Sequence, residues 1–226
     1  MHKSFFYALI GWDKHLLLAI NGWHSTWADS FFWLMSGKLF PVVLAILLLF
    51  FLWKNNGFKT FGFVLFLVLT IVIADQIASG VVKPLVARLR PTHDPSIQSM
   101  VRLVHNYSGG LYGFVSSHAA NTMGAAFFVT LLIRKKLLSG LFFAWALITC
   151  YSRIYLGVHF PLDVLCGAVI GMFSGGFCYY LMTSIAHHWD KIQWMATPAR
   201  MMPKNVRYFF WIGTGFFVVV LVACIF

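Results

Sequence analysis

Three uninterrupted apolar runs, residues 61–82, 164–186 and 208–226, decide the solvent in which this chain must fold. Each exceeds the roughly 18 apolar residues that read as a membrane span, with a single aspartate, Asp75, inside the first. Runs at 39–53, 119–133 and 137–151 are shorter and cross only if their helices extend into flanking polar residues. The runs are continuous rather than alternating, which favours helices over a β-barrel. The sequence therefore predicts an all-α fold, an integral membrane helical bundle of about six transmembrane helices. Within it, residues 29–186 form the core, 187–207 a basic cytoplasmic linker and 208–226 an additional C-terminal transmembrane helix.

Residues 1–28 read differently. Lys3 is basic, but Asp13 and Lys14 interrupt the apolar stretch and no small-residue cleavage site follows, which argues against a cleavable signal. The mixture of Trp, Phe, Leu and charge suits an amphipathic helix lying at the interface, with a short further span as the rival reading. Cys150, Cys166, Cys178 and Cys224 fall in apolar runs without CxxC spacing and are expected to be free thiols. All six acidic residues are aspartates, which removes glutamate-based acid–base and metal chemistry. The net charge of +11 points to anionic lipid headgroups, and no nucleic-acid-binding motif is present.

Three basic segments, 54–59, 134–136 and 190–207, fall on one side when the chain is threaded back and forth, and hold nine of the 17 Lys and Arg residues. The positive-inside rule makes that side cytoplasmic. Eight basic residues remain on the other side, and five of them, Lys83, Arg88, Arg90, Arg102 and Arg153, stand in or beside polar stretches. A bound anion is the simplest reason for that excess.

The polar stretches are three. In "KPLVARLRP", Lys83 and Arg90 are seven residues apart, which on a helix puts them on one face before Pro91 stops it; two cations there suit a phosphate. Interfacial snorkelling is the plain alternative. In "YGFVSSHAANT", Ser116 or Ser117 caps an apolar helix whose N–H groups favour an anion, with His118 in the first turn or simply nearby. In "YSRIYLGVHFPLD", Ser152 and Arg153 end one span, Gly157 permits a turn, and Pro161 opens the next helix. His159 and Asp163 are four apart, so the carboxylate can fix the imidazole tautomer and free the other nitrogen for nucleophilic or proton-transfer work. The plain alternative has Asp163 balancing Arg153.

Taken together, Lys83-x6-Arg90-Pro91, Ser116-Ser117-His118 and Ser152-Arg153-x5-His159-x3-Asp163 resemble the three-part signature of the type 2 phosphatidic acid phosphatase (PAP2) superfamily of lipid phosphate phosphatases, over roughly residues 25–186. The second part departs, with Val115 and Ser117 where that family usually has proline and glycine. The resemblance implies a nucleophilic His159 that forms a phosphohistidine, Asp163 orienting it, and His118 as the proton donor. It further implies Lys83, Arg90, Ser116, Ser117 and Arg153 as the phosphate cradle, with no metal and no cofactor. The implied substrate is a lipid phosphate or diphosphate at the outer leaflet of a bacterial inner membrane: lipid A or undecaprenyl diphosphate ahead of phosphatidylglycerol phosphate. A phosphotransferase using the same site and a catalytically silent lipid-binding or transport protein are the rivals. A metal held by His118, His159 and Asp163 would be repelled by the neighbouring cations.

Asp75 is expected below the phosphate site, packed on a polar partner such as Gln76, and Asn121 one turn below His118, steadying it. His93, Asp94, Arg102 and His105, in the loop 92–112, are expected to be solvated, with headgroup contact as the alternative.

Overall fold

Backbone amides that enter lipid must bond within their own segment, and the apolar runs named above are helical, the last of them through Ala223. The computed structural model describes residues 2–225, with side chains from residue 7. In chain order the helices are α1 (His2–Gly22), α2 (Thr26–Ser36), α3 (Leu39–Asn56), α4 (Thr60–Asp75), α5 (Lys83–Val86), α6 (Ser117–Ile133), α7 (Lys136–Tyr155), α8 (Pro161–His188) and α9 (Pro203–Ala223). A π-helical segment, Gln76–Val82, joins α4 to α5 without a break. Among the described residues there is no strand, only an isolated bridge between Leu89 and Tyr112.

Four stretches are long and apolar enough to cross a membrane: Leu39–Val86, Lys136–Tyr155, Pro161–His188 and Pro203–Ala223; Ser117–Ile133 is apolar but shorter. The first is 48 residues long. As one straight helix it would measure about 72 Å, against a hydrocarbon core of about 30 Å. It reverses instead at Gly57, whose φ of 57° is glycine territory. Its two outer ends then lie at one end of the bundle, where Ser36 bonds Arg153 and Lys83 bonds Ser117. The expectation of about six helices counts both arms and α6 separately.

The centre of the bundle is α6 against α8. A Cβ on Gly171 would lie 2.1 Å from the Ala120 carbonyl oxygen, on Gly167 2.4 Å from that of Ser116, and on Gly175 2.6 Å from that of Gly124. Glycine every fourth residue lets the two backbones touch, the packing mode of helices that have no hydrophobic drive in lipid. α9 lies antiparallel to α3, with Phe51 against Phe209 and Phe40 against Phe216 at 5.8 and 5.6 Å.

The basic segments gather at one end: Asn56 donates to the Arg200 carbonyl, Lys59 sits over Trp194, and the Ala199 N–H bonds the Leu132 carbonyl. Residues 187–207 are more than a linker, since the turn Asp190–Ala196 seats Trp194 against Phe63 at 5.4 Å. At the opposite end α1 lies across the bundle. Its Asn21 donates to the Tyr155 carbonyl, and its Asp13 accepts from the Leu162 N–H. The boundary drawn at residue 28 falls inside α2.

Candidate active site

The first polar stretch does not follow the helix drawn from its spacing. α5 ends at Val86, Ala87 takes a left-handed φ of 47°, and its N–H closes on the Lys83 carbonyl. Residues 88–90 then run extended beside 111–113, through Arg90 N–H to Leu111 and Gly113 N–H to Arg88. That pairing, not helical periodicity, turns Arg90 inward. Arg90 is 9 % exposed, and its Nε and Nη1 donate to the carbonyls of Tyr112 and Val158.

Lys83 stays on the helical side and donates to Ser117 Oγ at 3.1 Å. Ser117 Oγ also shares a 2.7 Å hydrogen bond with Ser79 Oγ, and Ser79 reaches Asp75 Oδ1 at 3.5 Å. Asn121 donates to the same Asp75 oxygen at 3.3 Å. Asp75 thus stands below the site as the foot of a polar chain ending at Lys83. Its partners are Ser79 and Asn121, whereas the Gln76 amide oxygen turns toward Gly80.

Ser116 caps α6 and is fully buried; its Oγ accepts from Ala119 N–H, and its own N–H donates to the Asp163 carbonyl. Its hydroxyl is spent on the cap. His118, in the first turn, is exposed. It lines a cavity of about 360 Å³ shared with Trp33, Ser36, Lys38, Tyr107 and Arg153. It also lines a crevice of about 230 Å³ that descends past Asn121, Ile71, Ala125 and Trp145. The cations that bear on its imidazole are Arg153, Arg90 and Lys83, and the His159 ring is also near it.

The third stretch folds as its residues dictate. Gly157 takes φ 73°, Pro161 opens α8, and Asp163 in the first turn accepts the Phe160 N–H at 3.0 Å. Arg153 is 3 % exposed, bonds Ser36 Oγ and lies over Tyr107; its Nε has no hydrogen-bond partner among the described residues. A buried N–H without a partner is a donor waiting for an acceptor.

His159 is 1 % exposed, and Arg90 Nη1 stands 3.2 Å from its Nε2. A guanidinium only donates, so Nε2 carries the lone pair and Nδ1 the proton. Nδ1 faces Asp163 Oδ2 at 3.5 Å, longer than a normal hydrogen bond, and has no other partner among the described residues. Burial, then the charges of Arg90, Arg153 and Lys83, hold this imidazole well below the usual range, so it stays neutral. A neutral, oriented imidazole with its lone pair toward cations is a nucleophile placed for an anionic electrophile.

Two further residues belong to this centre. Arg88 bridges Asp163 Oδ1 at 2.9 Å and Asp13 Oδ2 at 2.7 Å, and its guanidinium lies 3.9 Å above the Phe160 ring. Asp13 is fully buried, which raises its pKa against the lowering effect of the Leu162 N–H and Arg88. No local signal marks Asp13, whereas Arg88 stands within the first polar stretch as an extra cation. The loop 92–112 is not simply solvated: Asp94 pairs with Lys14 at 2.8 Å, Arg102 with Asp29, and His105 packs on Trp33. These contacts tie the loop to α1 and α2, segments to which no local pattern links it.

The PAP2 superfamily model matches residues 63–186. The lipid A 4'-phosphatase of Bacteroides thetaiotaomicron is 40 % identical over 171 residues, covering 75 % of this chain and 76 % of that protein. The lipid A 4'-phosphatase of Porphyromonas gingivalis is 35 % identical over 178 residues, covering 78 % and 75 %. Among solved structures, Aquifex aeolicus LpxE superposes with a TM-score of 0.53 at 28 % identity, over 73 % of this chain and 92 % of that one. A transmembrane PAP2-type phosphatidylglycerolphosphate phosphatase from Bacillus subtilis gives 0.61 at 18 % identity, over 77 % and 86 %, a likeness of fold alone.

Proposed function

The chain belongs to the PAP2 superfamily and is a multi-pass membrane lipid phosphate phosphatase, and on that premise we propose that it removes a phosphate from lipid A through a phosphohistidine on His159. The observation that carries the reaction is the pairing of a buried, neutral His159 with a cavity-facing His118 across a cluster of Lys83, Arg90 and Arg153. The names of the two relatives, each matched over about three-quarters of its length, favour lipid A over undecaprenyl diphosphate and phosphatidylglycerol phosphate.

In this reading the phosphate displaces Nε2 of His159 as the acceptor of the Arg90 N–H. Arg90, Arg153 through its free Nε–H, and Lys83 then hold the non-bridging oxygens, with the Ser117 N–H at the start of α6. Nε2 attacks phosphorus, the P–O ester bond breaks, and the departing oxygen takes a proton from His118. The positive charge that grows on His159 is met by Asp163. In the second displacement His118 takes a proton from water, the hydroxide attacks phosphorus, and the P–N bond returns its electrons to His159 as inorganic phosphate leaves. Ser116 and Arg88 touch no reacting atom and keep Asp163 in place. The reaction draws on fixed cations and needs no metal.

The site end faces the periplasm or exterior of a bacterial inner membrane, because the basic segments gather at the opposite end. The crevice below His118 then lets lipid tails stay at membrane depth while the headgroup reaches the cations. A phosphotransferase would use the same residues, and phosphate release without an added acceptor separates the two.

The test is phosphate release by the purified full chain in detergent with EDTA, from lipid A, undecaprenyl diphosphate and phosphatidylglycerol phosphate. Lipid A is expected to be the preferred substrate and EDTA to have no effect. His118→Ala should slow turnover ~10²–10⁴-fold and His159→Ala should abolish it. Inhibition by EDTA, or turnover of the other lipids with lipid A untouched, would overturn the reading.

A further inference from the structure

In an in-line displacement the nucleophile and the leaving oxygen stand on opposite sides of phosphorus. His159 is buried, whereas His118 lines the cavity of about 360 Å³. The group that leaves with the ester oxygen takes its proton from His118 and so lies against the spaces that His118 lines, of which this cavity is the one that also holds Arg153. Its walls are not those of a generic polar cleft. Trp33 is 36 % exposed and held by edge contacts to His105 at 5.0 Å and Tyr107 at 5.6 Å. Tyr107 is presented by a turn in which His105 and Asn106 take left-handed φ of 52° and 57°. Lys38, at the N-terminus of α3, lines both the cavity and the crevice below and pairs with no carboxylate among the described residues. Two fixed aromatic side chains and one free cation make a site for a flat, polar-edged group, with C–H bonds on its faces and hydroxyl or amide groups around its rim.

We infer that this cavity is a sugar-binding subsite, in which Trp33 and Tyr107 pack on the pyranose that leaves with the ester oxygen and Lys38 meets its polar substituents. The inference rests on the phosphatase reading above and narrows it: the substrate is a phosphorylated sugar lipid, since a glycerol headgroup offers no ring to pack. Trp33 sits on α2, outside the three-part signature, and touches neither His118 nor His159 among the contacts described.

The test is competition. The probes are an acyl-free glucosamine disaccharide phosphate and inorganic phosphate, each used to inhibit hydrolysis by wild type, Trp33→Leu, Trp33→Phe and Lys38→Gln. The sugar phosphate should inhibit Trp33→Leu about tenfold more weakly than wild type, with recovery in Trp33→Phe and a smaller loss in Lys38→Gln. Inorganic phosphate, which reaches only the cation cluster, should inhibit all four alike. Equal weakening toward both inhibitors would make Trp33 structural, and no weakening toward the sugar phosphate would leave the cavity without a sugar; either result overturns the inference. If lipid A proves not to be the substrate, the same competition is run against the lipid phosphate that is hydrolysed. A sugar-selective effect of Trp33 there would uphold the subsite while the lipid A assignment fell.

Discussion

Arg88 is gripped by two buried carboxylates, one in the third signature stretch and one in the N-terminal helix. In the proposed reaction Asp163 counters the charge that develops on His159, and a carboxylate drawn toward Arg88 is fixed in position for that task. Asp13 completes the arrangement by taking both Arg88 and the Leu162 N–H. Asp13→Asn keeps the shape but faces an amide to a guanidinium and removes the charge. We expect kcat to fall roughly tenfold with KM within about twofold, and stability to fall by about 1–3 kcal/mol, because Arg88 retains Asp163 and some solvent. Steady-state kinetics and thermal unfolding in detergent check both; a rise in KM at unchanged kcat would instead place Asp13 in substrate binding. Asp13 could not be picked out in advance, because 149 positions separate it from Leu162 and a lone aspartate in an amphipathic helix has many ordinary uses. The meeting of His159 with Asp163 could be, because a spacing of four brings the two side chains together at the start of one helix.

The helices set the distance between the two histidines. His118 begins α6 and His159 precedes α8, so the glycine contacts between those helices fix the gap that a phosphorus atom must fill. Gly171→Ala is the smallest change that tests this: its methyl would meet the Ala120 carbonyl at 2.1 Å, and backbone cannot step aside as a side chain can. We expect a loss of about 1–3 kcal/mol and a clear fall in kcat, whereas Gly140→Ala, with nothing within 4 Å, should leave the unfolding temperature and turnover unchanged. Equal behaviour of the two variants would refute the role given to this contact. The glycine period was visible in the sequence, but not the helix it meets. The Lys83–Arg90 stretch shows the converse. A spacing of seven fits a helix, yet Arg90 turns inward because residues 88–90 pair with 111–113, and no local pattern announces a partner 21 to 25 residues away.

For the whole molecule, the bilayer made the architecture legible: lipid leaves a chain with continuous apolar runs little choice but helices. The grouping of basic segments was equally readable, since the same threading that counts spans also sorts loops by side. The caps were not. α1 and α2 bind the site end through Asp13, Asn21, Asp29 and Lys14, each with two or more polar contacts to distant segments, which hydropathy does not register. The consequence is one centre assembled from α1, the turn after α5, the start of α6 and the loop before α8 around His159, the nucleophile of the proposed reaction. The most direct measurement is to mix the full chain rapidly with lipid A, quench in alkali to preserve phosphoramidate bonds, and map the phosphoryl group by mass spectrometry. The account predicts phosphate on His159, and none in His159→Asn. Phosphate on any other residue, or turnover with no phosphoryl-enzyme even in His118→Ala, would contradict it.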